Sequence, residues 1–295
     1  MHVESERLEL SIDSVLFATD FSKSSENAGR YAHLLARYFG AHLIVTHAFL
    51  SSQAAMEAEA LSHNLSRERG EILSRLSRVA QAMATDGVVA APFLLEGNPP
   101  KAIAQLADKH APCLVVLGTH GAGRMSRGLI GSTADKILRS TPWPCLVVGP
   151  HVPDASPQAV PFKRILFATD FTPEAAHAAI YAVTLATEAG ADIDVLNVMP
   201  LHTVSHPERM AELEKQFFRE LDRVVPQQAR EFCNPRTFVD TGNAHHRILE
   251  HIRDYGVDLL VIGVRNSSHL DLEIRTSNAF GLVAESPCPV LTIRG

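Results

Sequence analysis

The chain has 295 residues, 46% hydrophobic and 20% charged, a globular composition long enough for two domains with a core each. Its formal charge of −6 argues against a nucleic-acid or anionic-membrane binder, and no apolar run is long enough to span a bilayer. The N-terminal MHVESERLELSID is polar and acidic, unlike a signal peptide, and the four cysteines form no CxxC, which fits buried thiols in a reducing cytoplasm.

In chain order, short apolar runs predict strands near Ser14–Thr19, Ala41–Ala48, Val89–Leu95, Cys113–Gly118 and Cys145–Gly149. Helices are expected between them. Ser22 is placed to cap the first. The second, roughly Ala54 to Ala84, is long and open to a break. The third follows Asn98-Pro99-Pro100, with proline at the early positions where it is tolerated. Alternating strands and helices give a doubly wound parallel sheet.

The same unit then recurs. Ser14 to Phe21 reads SVLFATDF and Arg164 to Phe171 reads RILFATDF. Gly97-Asn98 matches Gly242-Asn243, Gly118 matches Gly263, Ser132 matches Ser277, and Pro142-x-Pro144 matches Pro287-x-Pro289. A repeat this long means tandem domains, not a solenoid. They are read as residues 1–149 and 162–295. Between them the proline-rich PHVPDASPQAVP is expected to be an extended linker, reaching about 40 Å at roughly 3.3 Å per residue.

The most informative stretch is LVVLGTHGAGRMSRGLIGSTADKIL, Leu114 to Leu138. A buried strand ends at Gly118. A loop with Gly121 and Gly131 follows, and a helix begins with Ser132 and Thr133 as N-cap candidates. Glycines let backbone N–H groups approach an anion, and a helix N-terminus adds unpaired donors and partial positive charge. Arg124 and Arg127 lie in the loop and would add positive charge. No lysine follows the last glycine, so this is not a Walker-type loop.

The spacing G-x2-G-x9-G-S resembles the ATP-binding signature of the universal stress protein family. With ATDFS or ATDFT closing the first strand of each half, the resemblance covers the whole chain. It implies an α/β fold of two Rossmann-like domains, akin to the adenine nucleotide alpha hydrolases, each a five-stranded parallel sheet of order 3-2-1-4-5. It implies an ATP site, with Mg²⁺ on the nucleotide, at the switch between strands one and four. Asp20 matches the residue that contacts the nucleoside, and Ala18 and Ala48 match positions that line the adenine pocket. Gly118, Gly121, Gly131 and Ser132 match phosphate-binding positions, and Thr133 offers a further hydroxyl. Asp20 has an alternative role in the strand-to-helix turn, and both alanines fit an ordinary core.

The second loop departs from this pattern. Asn266 and Thr276 replace two glycines, and Asp271 and Glu273 add negative charge, so the second half is not expected to bind ATP. His245, His246, His251 and His47 lack zinc-site spacing and read as surface or core residues, and Trp143 reads as packing. No nucleophile–base pair or kinase signature stands out. The expected function is therefore an ATP-binding stress-response regulator with at most weak ATP hydrolysis. A slow ATPase and a dimerisation module without nucleotide remain the alternatives. The apolar fifth strands, CLVVG and VLTIR, predict that the halves pair intramolecularly with pseudo-two-fold symmetry, and the full chain has scope to form a homodimer.

Overall fold

The structure is a computed structural model describing residues 10–49, 59–119, 130–155, 161–200, 207–265 and 277–294. The chain divides into two compact units, residues 12–159 and most of 160–295.

The first unit contains β1 (Ser14–Ala18), α1 (Lys23–Phe39), β2 (His42–Phe49), α2 (Glu59–Met83), β3 (Ala90–Glu96), α3 (Pro99–Lys109), β4 (Cys113–Gly118), α4 (Ser132–Ser140) and β5 (Cys145–Val148). Its strands pair in parallel in the order β3-β2-β1-β4-β5. Val15, Leu16 and Phe17 of β1 and Val115 and Val116 of β4 are buried. Such unbroken apolar runs suit central strands of a parallel sheet, which helices cover on both faces.

The second unit repeats the scheme with β6 (Arg164–Ala168), α5 (Pro173–Ala189), β7 (Asp192–Met199), α6 (Pro207–Asp222), β8 (Pro235–Thr241), α7 (Ala244–Tyr255), β9 (Leu259–Val264), α8 (Ser277–Glu285) and β10 (Val290–Arg294). Its parallel order is β8-β7-β6-β9-β10, the same topology. The shortening of the second copy falls between β7 and β8, where α6 is 16 residues long.

Helix ends follow the local chemistry. The Ser22 and Thr172 hydroxyls accept from the amides of Ser25 and Ala175, capping α1 and α5, and Pro173 opens α5. Each such cap is worth about 1 kcal/mol. Gly40 ends α1 with φ 62, a left-handed conformation in which glycine carries no side-chain penalty. Asn98 caps α3 ahead of its prolines.

Three expectations change. α2 runs unbroken from Glu59 to Met83. α4 is capped by Gly131 rather than by Ser132 or Thr133, which stand inside its first turn, and no side chain caps it. The linker is also not wholly free. The Asn27 side chain donates to the carbonyls of Val152 (3.1 Å) and Pro153 (3.2 Å) and accepts from the amide of Ala155 (3.3 Å), while Tyr31 donates to Pro153. Arg30 pairs with Asp154. Residues 152–155 are thereby laid along α1, and the reach of about 40 Å is cut to that of the residues beyond Ala155. No helix among the described residues is long and apolar enough to cross a membrane.

Candidate functional site

The site is built where β1 gives way to α1. Asp20 Oδ1 accepts from the Ser22 amide (3.0 Å) and the Ser22 hydroxyl (2.6 Å). Ser22 in turn caps α1, so Asp20 is fixed by the helix start it helps to shape. Phe21 takes φ 61, a conformation that L side chains rarely adopt. Its amide donates to Thr19 Oγ1 (2.9 Å), which also meets the Ser25 hydroxyl (3.0 Å). Asp170, Phe171 and Thr172 repeat the turn, with Phe171 at φ 60 and Thr172 bonded to Asp170 at 3.2 and 2.6 Å. The ATDF repeat therefore has a structural cause independent of any ligand.

A cleft of about 440 Å³ opens beside this turn, at the C-terminal ends of β1, β2 and β4. Ala18, Asp20 and Ala48, from the β1 and β2 ends, and Gly118, Gly131, Ser132 and Thr133, from the β4 end and the start of α4, all line it. Thus seven of the ten expected residues gather at the point where the strand order reverses. Gly121, Arg124 and Arg127 lie outside the described residues. Pro99 and Ile103 of α3 and Ile137 of α4 close the cleft with apolar surface.

Electrostatically the cleft is lined by the Asp20 carboxylate and by the N-terminal end of α4. The Gly131 amide donates to the Thr119 carbonyl at 2.6 Å, holding the chain as it enters α4. The first-turn amides of α4 lack a side-chain cap and carry the positive end of the helix dipole, an arrangement suited to an anion. Gly131 has φ −59, so its glycine is not required by backbone conformation, contrary to the usual reading of a glycine loop.

Gly118 has a different cause again. A Cβ there would stand 3.3 Å from the Ser24 carbonyl oxygen. At Gly263, its partner in the second half, a Cβ would stand 2.5 Å from the amide nitrogen of Ala175. In both units this glycine lets the start of the first helix approach the sheet. Its survival in the second half therefore carries no information about nucleotide.

His47 lies near the C-terminal end of β2, two residues before Phe49, and borders the same cleft. Its Nδ1 donates to the Thr19 carbonyl at 2.7 Å, and its ring lies 4.7 Å from that of Phe21. Asn197 makes the equivalent bond to Thr169 at 2.8 Å. His246 lies on the surface near Glu250, whereas His251 is buried. Trp143 donates to Asp108 at 2.7 Å, tying the start of β5 to the end of α3. All four cysteines are free and buried, and burial pushes the Cys113 and Cys288 thiols up to about 12. No group of three or more His, Cys, Asp or Glu side chains among the described residues is arranged to hold a metal ion.

In the second unit Arg265 reaches Asp170 at 3.3 Å. The expected departures at Asn266, Asp271, Glu273 and Thr276 lie outside the described residues. Sequence reasoning missed a buried cluster here. Asp194 of β7 holds Arg236 of β8 through two bonds of 2.8 Å and His251 of α7 through one of 2.9 Å. The matching residues in the first half are Ile44, Ala91 and Leu106. Position-by-position comparison of the halves was the signal that would have revealed it.

The sequence profile of the universal stress protein family matches residues 11–149 and again 161–294. A universal stress protein of Thermus aquaticus is 33% identical over 137 residues, covering 46% of this chain and 97% of its own length. One from Methanocaldococcus jannaschii is 30% identical over 139 residues, covering 45% of this chain and 80% of its own. The fold of the full chain resembles the crystal structure of a universal stress protein from Archaeoglobus fulgidus, with TM-score 0.70 at 19% identity, over 97% of this chain and 99% of the other. The repeated turn, the repeated topology and the two successive matches lead to one conclusion: the chain belongs to the universal stress protein family, as a tandem of two such domains.

Proposed function

We propose that this protein is a nucleotide-dependent regulator of the stress response that holds one ATP in the cleft of its first half. The observation that carries the reading is the convergence of Asp20, Ala18, Ala48, Ser132 and Thr133 on one cleft at the switch of strand order. In this reading Asp20 accepts hydrogen bonds from the ribose hydroxyls. The small side chains of Ala18 and Ala48 leave room for the adenine, with the Ala48 backbone beside it. The uncapped first turn of α4, with the Ser132 and Thr133 hydroxyls, receives the phosphates, joined by Gly121, Arg124 and Arg127. Mg²⁺ arrives on the phosphates, as is usual for this ion.

The second half does not take nucleotide in this proposal. Arg265 occupies Asp170, and two of the three loop glycines are replaced. Its role is to pair with the first half, an expectation resting on the sequences of the two fifth strands. Cleaving the linker and running gel filtration tests that part: halves that separate freely remove it.

Calorimetry of the full chain with MgATP tests the binding. One site per chain, lost in Gly131→Val with the fold intact, is the expected result. Two equivalent sites, or unchanged affinity in the variant, would sink it. Labelled ATP under the same conditions separates a regulator from a slow ATPase, since only the latter shows multiple turnover.

A further inference from the structure

A second concavity in the first half, of about 540 Å³, lies between α1 and α2, whereas the nucleotide cleft lies against α3 and α4. Its apolar walls come from Phe17, Phe21, Leu34, Val79 and Met83. Gly29 stands in the middle of α1 at its floor. A Cβ there would come within 3.0 Å of the Phe17 ring. Glycine inside a helix is less favourable than alanine because of its greater backbone freedom. The second half has alanine, Ala179, at the matching position.

The rim differs between the halves as well. Glu26, Arg30 and His33 are replaced by Ala176, Ile180 and Val183, so the polar mouth belongs to the first half alone. The charges at this mouth are mostly compensated. Arg30 pairs with Asp154. His33 contacts the Met83 carbonyl at 2.9 Å and lies 3.5 Å from Asp86. Glu26 sits in the first turn of α1, where the helix end favours an acid. Arg75 is the exception. Its guanidinium lies 4.4 Å over the Phe21 ring and donates to the Phe21 carbonyl at 3.3 Å, and it has no carboxylate partner among the described residues. A guanidinium has five donors, so the fork retains capacity for a planar anion.

We propose that this groove binds a small amphipathic anion, its apolar body against Phe17, Val79 and Met83 and its carboxylate on Arg75. Size, apolar lining and one convergent charge are the ordinary features of a small-molecule site. Ala155, on the segment tied to α1, forms part of the rim, so an occupant touches the chain that leads to the second half. The proposal does not depend on nucleotide binding.

The test uses the full chain and dodecanoate, followed by calorimetry. One saturable site per chain is expected. Arg75→Gln, an exposed position, should weaken it at least about tenfold, the scale of a lost charge-assisted pair. Val79→Trp should fill the groove and abolish binding, with circular dichroism and melting temperature checking that both variants fold. Saturating MgATP should not displace the probe. Absence of saturable binding, or equal affinity for dodecanol, overturns the proposal. So does one-for-one displacement by ATP, which puts the probe in the other cleft. Finally, if ultracentrifugation shows Val79→Trp breaking a self-associated form, the groove's occupant is a second copy of the chain.

Discussion

His251 Nε2 lies 2.9 Å from Asp194 Oδ2 in the interior of the second half. Asp194 is fully buried, and Arg236 grips both of its oxygens. The His251 ring stacks on Tyr255 at 4.3 Å and meets Phe238 edge-on at 4.6 Å. The cluster joins the central part of the sheet, its end strand β8 and helix α7 at one point.

This relationship sets a pH dependence. Burial pushes the Asp194 carboxyl up, but the hydrogen bonds and charges of His251 and Arg236 outweigh it and hold the group below the usual carboxylate range. The unfolded chain, with an ordinary aspartate near about 3.9, then binds more protons than the folded chain in the window below that value. Stability from this cluster is present at neutral pH and is lost as pH falls below about 4 and through the lower, folded-state value. Denaturant melts of the full chain at pH 7, 5, 4 and 3 should show the second half losing stability at the acid end. In Asp194→Asn that share of the acid dependence should be absent.

The same cluster predicts strong non-additivity. Asp194→Ile alone leaves Arg236 and His251 without their acceptor and should cost about 3 kcal/mol, the lower end for breaking a buried pair because Arg236 is partly exposed. The first half already shows an apolar solution at these positions, Ile44, Ala91 and Leu106. The triple change Asp194→Ile, Arg236→Ala and His251→Leu should therefore recover most of the loss. Urea denaturation of the single and triple variants decides this. A triple variant no more stable than the single would show that the cluster is not replaceable by packing.

At the candidate site, Asp20 shapes the turn and, in the proposed function, also contacts the nucleotide, and substitution can separate the two. Asp20→Asn keeps an oxygen for the Ser22 bonds but removes the charge, so the melting temperature should hold while ATP affinity falls, by about tenfold if the ribose contact is charge-assisted. Asp20→Ala removes the turn bonds too and should lower stability by about 1 kcal/mol as well as affinity. If both variants bind ATP as the wild type does, Asp20 serves the turn alone.

The strands and the tandem were legible in the sequence because they rest on local chemistry, namely apolar runs, caps such as Asn98, and a repeat that appears twice, whereas the strand order and the place of the cleft came through the family resemblance. What escaped was of two kinds. The Asp194–Arg236–His251 cluster joins residues 42 and 57 positions apart, and no spacing rule links them. The motif residues also carried more than one cause. Asp20 shapes a turn, Gly118 admits a helix, and Gly131 has ordinary backbone angles. A signature names the positions but does not divide packing from binding among them.

That division gives the last prediction. Gly118 and Gly263 occupy equivalent ends of β4 and β9, yet their surroundings differ in closeness. A Cβ at Gly118 meets one carbonyl oxygen at 3.3 Å, a contact that a few tenths of an ångström would relieve. A Cβ at Gly263 meets the Glu174 carbonyl carbon and the Ala175 nitrogen, both at 2.5 Å, and main chain at a helix start has little freedom to move. Overpacking of this severity costs about 3 kcal/mol or more. Gly263→Ala should therefore destabilise the chain strongly, while Gly118→Ala should cost under about 1 kcal/mol. Binding should run the opposite way: if ATP sits only in the first half, as proposed, Gly118→Ala is the variant that can alter ATP affinity, and any Gly263→Ala molecules that remain folded should bind normally. Melting curves and ATP titrations on the two variants test both orders. Equal destabilisation would mean that the two helix approaches are alike, and a loss of ATP affinity in folded Gly263→Ala would place nucleotide in the second half.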